Sequence, residues 1–318
     1  ENVEGTPDIE VTMSKVADGY IPLYCLATSD QTNGPQLAKR CDSNTKTTVQ
    51  LGIWDEAVES AGQSSSSAQT WVEMSGLYLS SVSYNFPVDD NFSEDLTLVG
   101  NTKIWGSGQS TSSASCNASY FPTGIAGAFG GNNDAPQGTG GVNRRQNMVF
   151  ATGTADLAAG TAAQKALMQL QVKNPDLTVL PADIPGITLS GAKDFAHVQS
   201  ITASVDVARE ELFELGAKIA YARPVTFPIE VTCDIEITAS SGDLVNAIDA
   251  CSGSVQCEEA SNLTDRTIRV ATCEGLRLFL GNKNKLSSVT YGGGDAGGGN
   301  ATVSYSYSTF NDFTVMHY

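Results

Sequence analysis

The amino-acid sequence predicts a mostly β protein, a β-sandwich or barrel-forming fold with one or two short flanking helices. Three observations carry this prediction. Residues 225–238 alternate strictly between apolar and polar side chains, the C-terminal region shows the pattern of a β-hairpin, and charged residues make up only 17% of a chain rich in Ser, Thr and Gly. The chain of 318 residues is long enough for two ordinary domains or one large β domain.

The clearest alternation is the stretch VTFPIEVTCDIEIT at residues 225–238. Its apolar positions fall on one face, and Cys233 among them is expected to be a buried free thiol. Glu230, Asp234 and Glu236 fall on the other face. We expect a long strand with one buried face and one wet, acidic face.

The C-terminal hairpin is predicted from LSSVTY at 286–291, GGGDAGGG at 292–299 and the alternating NATVSYSYSTF that follows. The glycine-rich loop is interpreted as a hairpin tip. It lacks the Lys-Ser/Thr pair of a phosphate-binding loop, and a strand rather than a helix comes after it.

Few helices are predicted. Residues 161–173 and 243–251 carry helical apolar spacing, and Asn174-Pro175 closes the first of them. Residues 106–141 are rich in Ser, Gly, Asn and Pro and are expected to form long surface loops.

A repeated pattern links two distant segments. The stretch at 79–100, LSSVSYNFPVDDNFSEDLTLVG, is echoed at 198–216, with residues 89–91 treated as an insertion. In both copies a strand precedes an acidic pair (Glu94 and Asp95, or Glu210 and Glu211). After the acidic pair, each copy has a glycine (Gly100 or Gly216) and then an aromatic residue (Trp105 or Tyr221). The pattern suggests a duplicated module; the alternative is two similar strands in symmetrical places of one sheet.

The repeat leads to a domain hypothesis. It places a first β module at 1–155, a helix and Pro-rich linker at 156–195, and a second β module at 196–318. The alternative is a single β domain with an insertion at 106–195.

The composition argues against several function classes. A formal net charge of −17 repels phosphate backbones and anionic membrane surfaces. Neither His197 nor His317 has a nucleophile signature to pair with, adjacent carboxylates are usually solvated, and no Cys/His cluster has zinc spacing. We therefore expect no enzyme, catalytic residue, metal or cofactor. The seven cysteines leave both reduced thiols and some disulfides open.

Residues 198–237 resemble a block of the tail tube (major tail) proteins of tailed bacteriophages. The resemblance rests on Arg209-Glu210, Gly216, Tyr221, Arg223-Pro224 and the strand from Val225, and the C-terminal hairpin is similar as well. It implies tail-tube-like modules that self-assemble into stacked rings, forming an acidic-lined conduit for DNA ejection. Glu230, Asp234 and Glu236 would line the lumen. The candidate ring-interface or turn residues are Glu94, Asp95, Gly100, Trp105, Arg209, Glu210, Gly216, Tyr221 and Arg223.

The resemblance also implies partners and a location. The main partner is the chain itself, as a trimeric pseudo-hexamer or a hexamer. Tail sheath, tape measure and baseplate or terminator proteins are further partners, and DNA passes transiently without specific binding. Assembly in the host cytoplasm and a place in the virion tail follow, with no membrane partner. The alternatives are another virion component, such as a capsid decoration or tail completion protein, and a cell-surface or secreted β binding module.

Overall fold

The computed structural model describes residues 8–18, 21–28, 36–37, 43–53, 70–107, 142, 148–151, 196–217, 219–239, 266–272, 276–293 and 300–317. Within these residues the chain forms strands and one short helix. In chain order they are β1 (Ile9–Val16), α1 (Leu23–Thr28), β2 (Thr47–Ile53), β3 (Thr70–Pro87), β4 (Ser93–Gly100), β5 (Thr102–Ser107), β6 (Met148–Ala151), β7 (Ala196–Asp206), β8 (Glu230–Ala239), β9 (Arg269–Thr272), β10 (Leu276–Phe279), β11 (Lys285–Gly292), β12 (Thr302–Phe310) and β13 (Thr314–His317). The mostly β fold class is confirmed.

The strands form two antiparallel sheets that share one core. The large sheet follows the order β1-β4-β3-β7-β8-β12-β11, with β2 and β5 attached to β3, and the small sheet has the order β13-β10-β9-β6. A single hydrophobic cluster contains Tyr84, Val231 and Tyr305 of the large sheet together with Val270 and Val315 of the small one. The arrangement is a sandwich, and neither sheet closes into a barrel in the part of the chain that the structure describes.

Strand β3 belongs to two structures at once. Residues 78–87 pair with β4 and β7 in the large sheet, whereas residues 70–77 pair with β2 and β5. We call β2, β5 and residues 70–77 the arm. Gly76 has a φ of 68° at the junction, a conformation that glycine adopts without steric cost. The arm therefore extends the large sheet beyond one of its ends.

The two copies of the predicted repeat meet in the middle of the large sheet. Strands β3 and β7 are antiparallel neighbours, and Tyr84 lies opposite Ala203, the residue that the repeat aligns with it. A local two-fold axis normal to the sheet therefore relates the two strands. After them the copies differ, because 94–100 forms β4 whereas 210–216 lies outside the named strands. Similar strands thus occupy symmetrical places in one sheet, while duplication and the domain boundaries stay predictions.

The long alternating strand begins later than expected. Regular pairing starts at Glu230 rather than Val225, because Pro224 and Pro228 have no backbone N–H to donate to a neighbouring strand. The predicted alternation itself is confirmed, since every second side chain from Ile229 to Ile237 is buried.

The C-terminal hairpin is confirmed as β11 paired with β12. Val303, Tyr305 and Tyr307 are buried on one face, as the alternation predicts. The glycine-rich tip at 294–299 and the helices expected at 161–173 and 243–251 lie outside the described residues. So does most of the expected loop segment 106–141, of which residues 106 and 107 end β5.

Candidate functional site: the polar face of the large sheet

The large sheet has one apolar face against the core and one polar face. Strand β8 shows the division: Val231, Cys233 and Ile235 are at most 1% exposed, whereas Asp234 and Glu236 are half-buried on the opposite side. Glu230 lies at the start of the same side and is exposed. Because paired residues of neighbouring strands point to the same face, the register extends this polar face across the sheet.

Small hydroxyl side chains cover most of the polar face. On β7 they are Ser200, Thr202 and Ser204, and on β12 they are Ser304, Ser306 and Ser308. Side chains of this size protrude little from the sheet, whereas Phe310, paired with Glu230 on the same face, is 56% exposed. The sequence alternation that places the hydroxyl side chains there is the same one that fills the core.

Hydrogen bonds tie these hydroxyl groups to their neighbours. Ser306 donates to Asp234 (2.5 Å), and Ser200 donates to Glu236 (3.3 Å). The hydroxyl oxygens of Ser204 and Thr232 are 2.7 Å apart. The face is therefore a connected polar layer that holds Asp234 and Glu236 in place.

The charges on the polar face are predominantly acidic. Within the described parts of the seven strands, carboxylates are contributed by every strand except β3, β11 and β12, and the one basic side chain is Lys285 at the edge. The carboxylates are those of Glu10, Asp95, Asp206, Glu230, Asp234 and Glu236. An open depression of about 510 Å³ lies among Glu10, Asp206, Glu230 and nearby hydroxyl groups. A face of this kind repels polyanions at close range.

Four of the predicted interface or turn residues lie on β4 and β5. Glu94 is 3% exposed and bonds within the chain, whereas its neighbour Asp95 lies on the polar face. A Cβ added to Gly100 would lie 2.7 Å from the Cδ2 atom of Leu77, so this glycine allows close packing where the arm begins. Trp105 is exposed on the arm, with the Nζ atom of Lys103 5.4 Å from its ring centroid.

The other five belong to the segment that joins β7 to β8. Arg209 is half-buried and Arg223 is buried, whereas Glu210, Gly216 and Tyr221 are exposed. The structure thus separates the predicted set into groups that stabilise the fold and groups at the surface.

The buried carboxylate of Glu94 organises α1. It accepts hydrogen bonds from the backbone N–H groups of Leu23 (2.7 Å) and Tyr24 (2.8 Å) and from the hydroxyl group of Tyr84 (2.6 Å). Burial raises the pKa of Glu94, and these three donors and Lys15 counteract the shift. Burial, followed by the nearby charge of Glu94, also raises the pKa of Tyr84.

Arg209 fastens the β7–β8 connection to the large sheet. Its Nε and Nη2 atoms donate to the carbonyl oxygens of Leu79 and Ser43, both at 2.5 Å, and Nη1 donates to that of Arg223 at 2.8 Å. Its guanidinium also lies 5.0 Å from the ring centroid of Tyr78. Burial is the main cause that lowers the pKa of Arg209, to about 10.

Sequence reasoning missed the exposed apolar residues of the same connection. Phe213 and Leu215, on either side of Glu214 in the chain, are exposed, and so is Ile219. The signal available in the sequence is the stretch EELFELG, where apolar residues interrupt a run of acids without a strand period of their own.

The two edges of the large sheet are open in the described part of the chain. Strands β1 and β11 end the strand order, and no described strand pairs with their outer sides. Val11 and Met13 of β1 and Val289 of β11 point toward the core but are only partly covered, and Tyr291, opposite buried Val303, is 64% exposed. Among the described residues, the apolar layer is therefore only partly covered at both edges.

Comparison with known proteins gives no match: neither a protein-family model nor a curated protein sequence matches this chain. In the described residues no helix is long and apolar enough to cross a membrane. Across those same ranges, no group of three or more His, Cys, Asp or Glu side chains is arranged to hold a metal ion. His197 lies in β7 opposite Thr238, and His317 ends β13.

Proposed function

We propose that this chain is a structural virion protein that self-assembles into stacked rings, which form the tail tube of a tailed bacteriophage. The polar face of the large sheet lines the lumen, and Glu230, Asp234 and Glu236 are part of the lining. The observation that carries the proposal is an acidic, hydroxyl-covered sheet face with two edges that no described strand covers.

Open edges and uncovered apolar side chains favour association through the edges. An unpaired strand presents a row of N–H and C=O groups that can bond another strand, and closing sheets into a barrel removes such edges. When β1 of one copy meets β11 of the next, partly covered Val11 and Met13 approach Val289 and Tyr291. The core layers of neighbouring copies then become continuous, and their polar faces form one surface.

The strand count favours a ring of three copies. Three seven-stranded paths give 21 strands, and at about 4.8 Å between strands tilted by about 40° the barrel is about 40 Å across. Six copies would double this diameter. The smaller ring suits the passage of a DNA duplex with its water, because serine and threonine side chains protrude little from its wall.

An acidic lumen wall favours the passage of DNA over its retention. Repulsion between carboxylates and DNA phosphates prevents the ion pairs that hold DNA on basic surfaces. DNA therefore passes without specific binding. The proposal places the protein in the virion tail after assembly in the host cytoplasm, where sheath, tape measure and baseplate or terminator proteins would contact it.

The first experiment asks whether the purified chain assembles. Negative-stain microscopy and mass photometry are expected to show hollow tubes or rings, with a ring mass of three copies. A chain that remains monomeric at all concentrations would overturn the proposal.

The second experiment tests the lining. The double variant Asp234→Lys/Glu236→Lys is expected to assemble into tubes that retain double-stranded DNA at low salt and release it as salt rises. The matched control, Asp89→Lys/Asp90→Lys, makes the same charge change at an exposed turn outside the polar face. Equal DNA retention by both variants would show that the polar face is not the lumen.

A further inference from the structure

The connection between β7 and β8 forms a projection, described at residues 209–217 and 219–225, which we call the finger. Its two sides are joined by bridges from Arg209 to Val225 and from Leu212 to Ala222. The backbone N–H groups of Leu212 and Tyr221 donate to the carbonyl oxygens of Ala222 and Leu212, both at 3.0 Å. These bonds make the finger an ordered, hairpin-like element.

The finger lies across one end of the large sheet and reaches the β1 edge. Arg209 binds the backbone of Leu79, which lies in β3. Further along the finger, the Nη2 atom of Arg223 lies 3.0 Å from the Oδ1 atom of Asp8, directly before β1, and 2.7 Å from the Oε1 atom of Glu211. The anchored part of the finger therefore runs from the middle of the sheet to its β1 edge.

The tip of the finger extends beyond these anchors and is apolar. Phe213 and Tyr221 are each 54% exposed, and Leu215 is fully exposed. Glu210 and Glu214 are exposed beside them. Four residue steps separate Glu211 from Leu215, which lies in the turn at the tip, so the tip reaches at most about 13 Å past the anchor.

The opposite edge of the sheet carries a complementary corner at the same end. We call Lys283, Lys285 and Phe310 the β11 corner, because Lys283 and Lys285 lie at the start of β11 and Phe310 lies at the end of neighbouring β12. Both lysines are exposed, and Phe310 is 56% exposed. Two acidic side chains lie at this corner: Glu230 faces it from β8, opposite Phe310, and exposed Asp312 lies beside Gly281.

The finger and the β11 corner lie at the same end of the sheet, carry charges of opposite sign, and are close enough to meet across a seam between copies. Strand directions alternate along the sheet, so β1 and β11 both begin at the end where the finger lies. In a ring the β1 edge of one copy faces the β11 edge of the next. The β12 strand of that neighbour lies two strand spacings from β1, about 10 Å, which is within the upper limit of about 13 Å on the reach of the tip.

We propose that the finger docks on the β11 corner of a second copy of this chain. Leu215 and Phe213 pack against Phe310, and Glu210 and Glu214 face Lys283 and Lys285. The contact is heterologous, since one copy gives the finger and the next gives the corner. This inference rests on the proposed ring, and it names the contact that fixes the order of copies around it.

The direct test is a photo-crosslinking amino acid at Leu215, introduced into the full chain and mixed as ¹⁵N-labelled and unlabelled protein. Crosslinked peptides of mixed isotope content are expected to join position 215 to peptides containing 283–286 or 309–312. Rings or tubes whose crosslinks join other segments, or only a single copy, would overturn the docking while leaving the proposed function intact. Absence of any assembly would overturn both.

Charge exchange gives an independent test. Glu210→Lys/Glu214→Lys and Lys283→Glu/Lys285→Glu are each expected to weaken ring formation by about tenfold, because attraction at an exposed contact becomes repulsion. An equimolar mixture of the two variants, or one chain carrying all four changes, restores assembly. The matched control Asp90→Lys, at the other end of the sheet, retains it. Weakening without restoration would count against the pairing.

Discussion

The buried carboxylate of Glu94 allows a sharp test of what this residue does. The sequence grouped Glu94 with candidate interface residues, whereas the structure surrounds it with donors of the same chain: Leu23, Tyr24 and Tyr84. We predict that changes at Glu94 lower the free energy of unfolding of the subunit itself.

The magnitude follows from the donors that lose their acceptor. In Glu94→Ala three donor groups at or near the core become unsatisfied, each at a cost of about 1–3 kcal/mol. Relief from burying a charge offsets part of that sum. We expect a net loss of about 3 kcal/mol, a large share of the stability of an ordinary domain. Tyr84→Phe removes one charge-assisted bond and should cost about 2 kcal/mol.

The pH dependence of the free energy of unfolding distinguishes the effect of the Glu94 charge from the effect of its side-chain packing. Because the folded pKa of Glu94 lies above the ordinary value of 4.5, the unfolded chain loses this proton first as pH rises. The contribution of Glu94 to stability is therefore fully present below pH 4.5 and declines as pH rises through the folded pKa. In Glu94→Gln this decline is absent, so the stability difference between wild type and Glu94→Gln should shift in favour of the variant as pH rises.

Urea unfolding followed by fluorescence, with the midpoint and slope fitted at several pH values, measures these differences. Asp95→Asn, one residue away on the polar face, is the matched control and should change stability by less than about 0.5 kcal/mol. The reasoning fails if Glu94→Ala unfolds like wild type at every pH. It also fails if Glu94→Ala keeps its stability and loses only assembly.

Two further predictions concern other buried groups. Arg209→Lys should lower the free energy of unfolding by about 2 kcal/mol in the same urea assay, because an ammonium group cannot reproduce the guanidinium bonds to three carbonyl oxygens. The control Lys46→Ala removes a cation whose Nζ atom lies 5.5 Å from the ring centroid of Tyr78, and it should lower the free energy of unfolding by less than about 1 kcal/mol. Equal losses in the two variants would contradict the role assigned to the Arg209 hydrogen bonds. Cys233 is 1% exposed, and burial raises its pKa to about 12. At pH 8 its thiol should therefore resist alkylation in the native protein and react fully in urea, which peptide mass mapping can measure. Rapid alkylation of Cys233 in the native protein would show that it is not buried.

The sequence predicted those parts of the fold in which period and burial agree. The alternation in β8 and β12 identified their buried faces, and Cys233 is a buried free thiol as expected. The expected start of the long strand at Val225 was wrong because alternation records which side a residue faces, while pairing requires N–H groups that Pro224 and Pro228 lack.

The sequence predicted the acidic and polar residues of the candidate site better than it predicted how many strands the site covers. Glu230, Asp234 and Glu236 were assigned to one polar face from β8 alone, and that face is observed. Its width was not predictable, because the order of seven strands depends on pairings between distant segments such as β3 and β7. The burial of Glu94 was hidden for the same reason: two of its three donors, the backbone N–H groups of Leu23 and Tyr24, lie about 70 residues away in the chain.

The odd number of strands in the large sheet gives it a direction. Six antiparallel steps separate β1 from β11, so both edge strands run the same way. Copies arranged around an axis and joined through these edges would meet in a parallel seam, with every copy pointing toward the same end. A stack of such rings is polar: its first and last rings present different surfaces, so a protein that starts the tube and one that ends it need never compete for the same place.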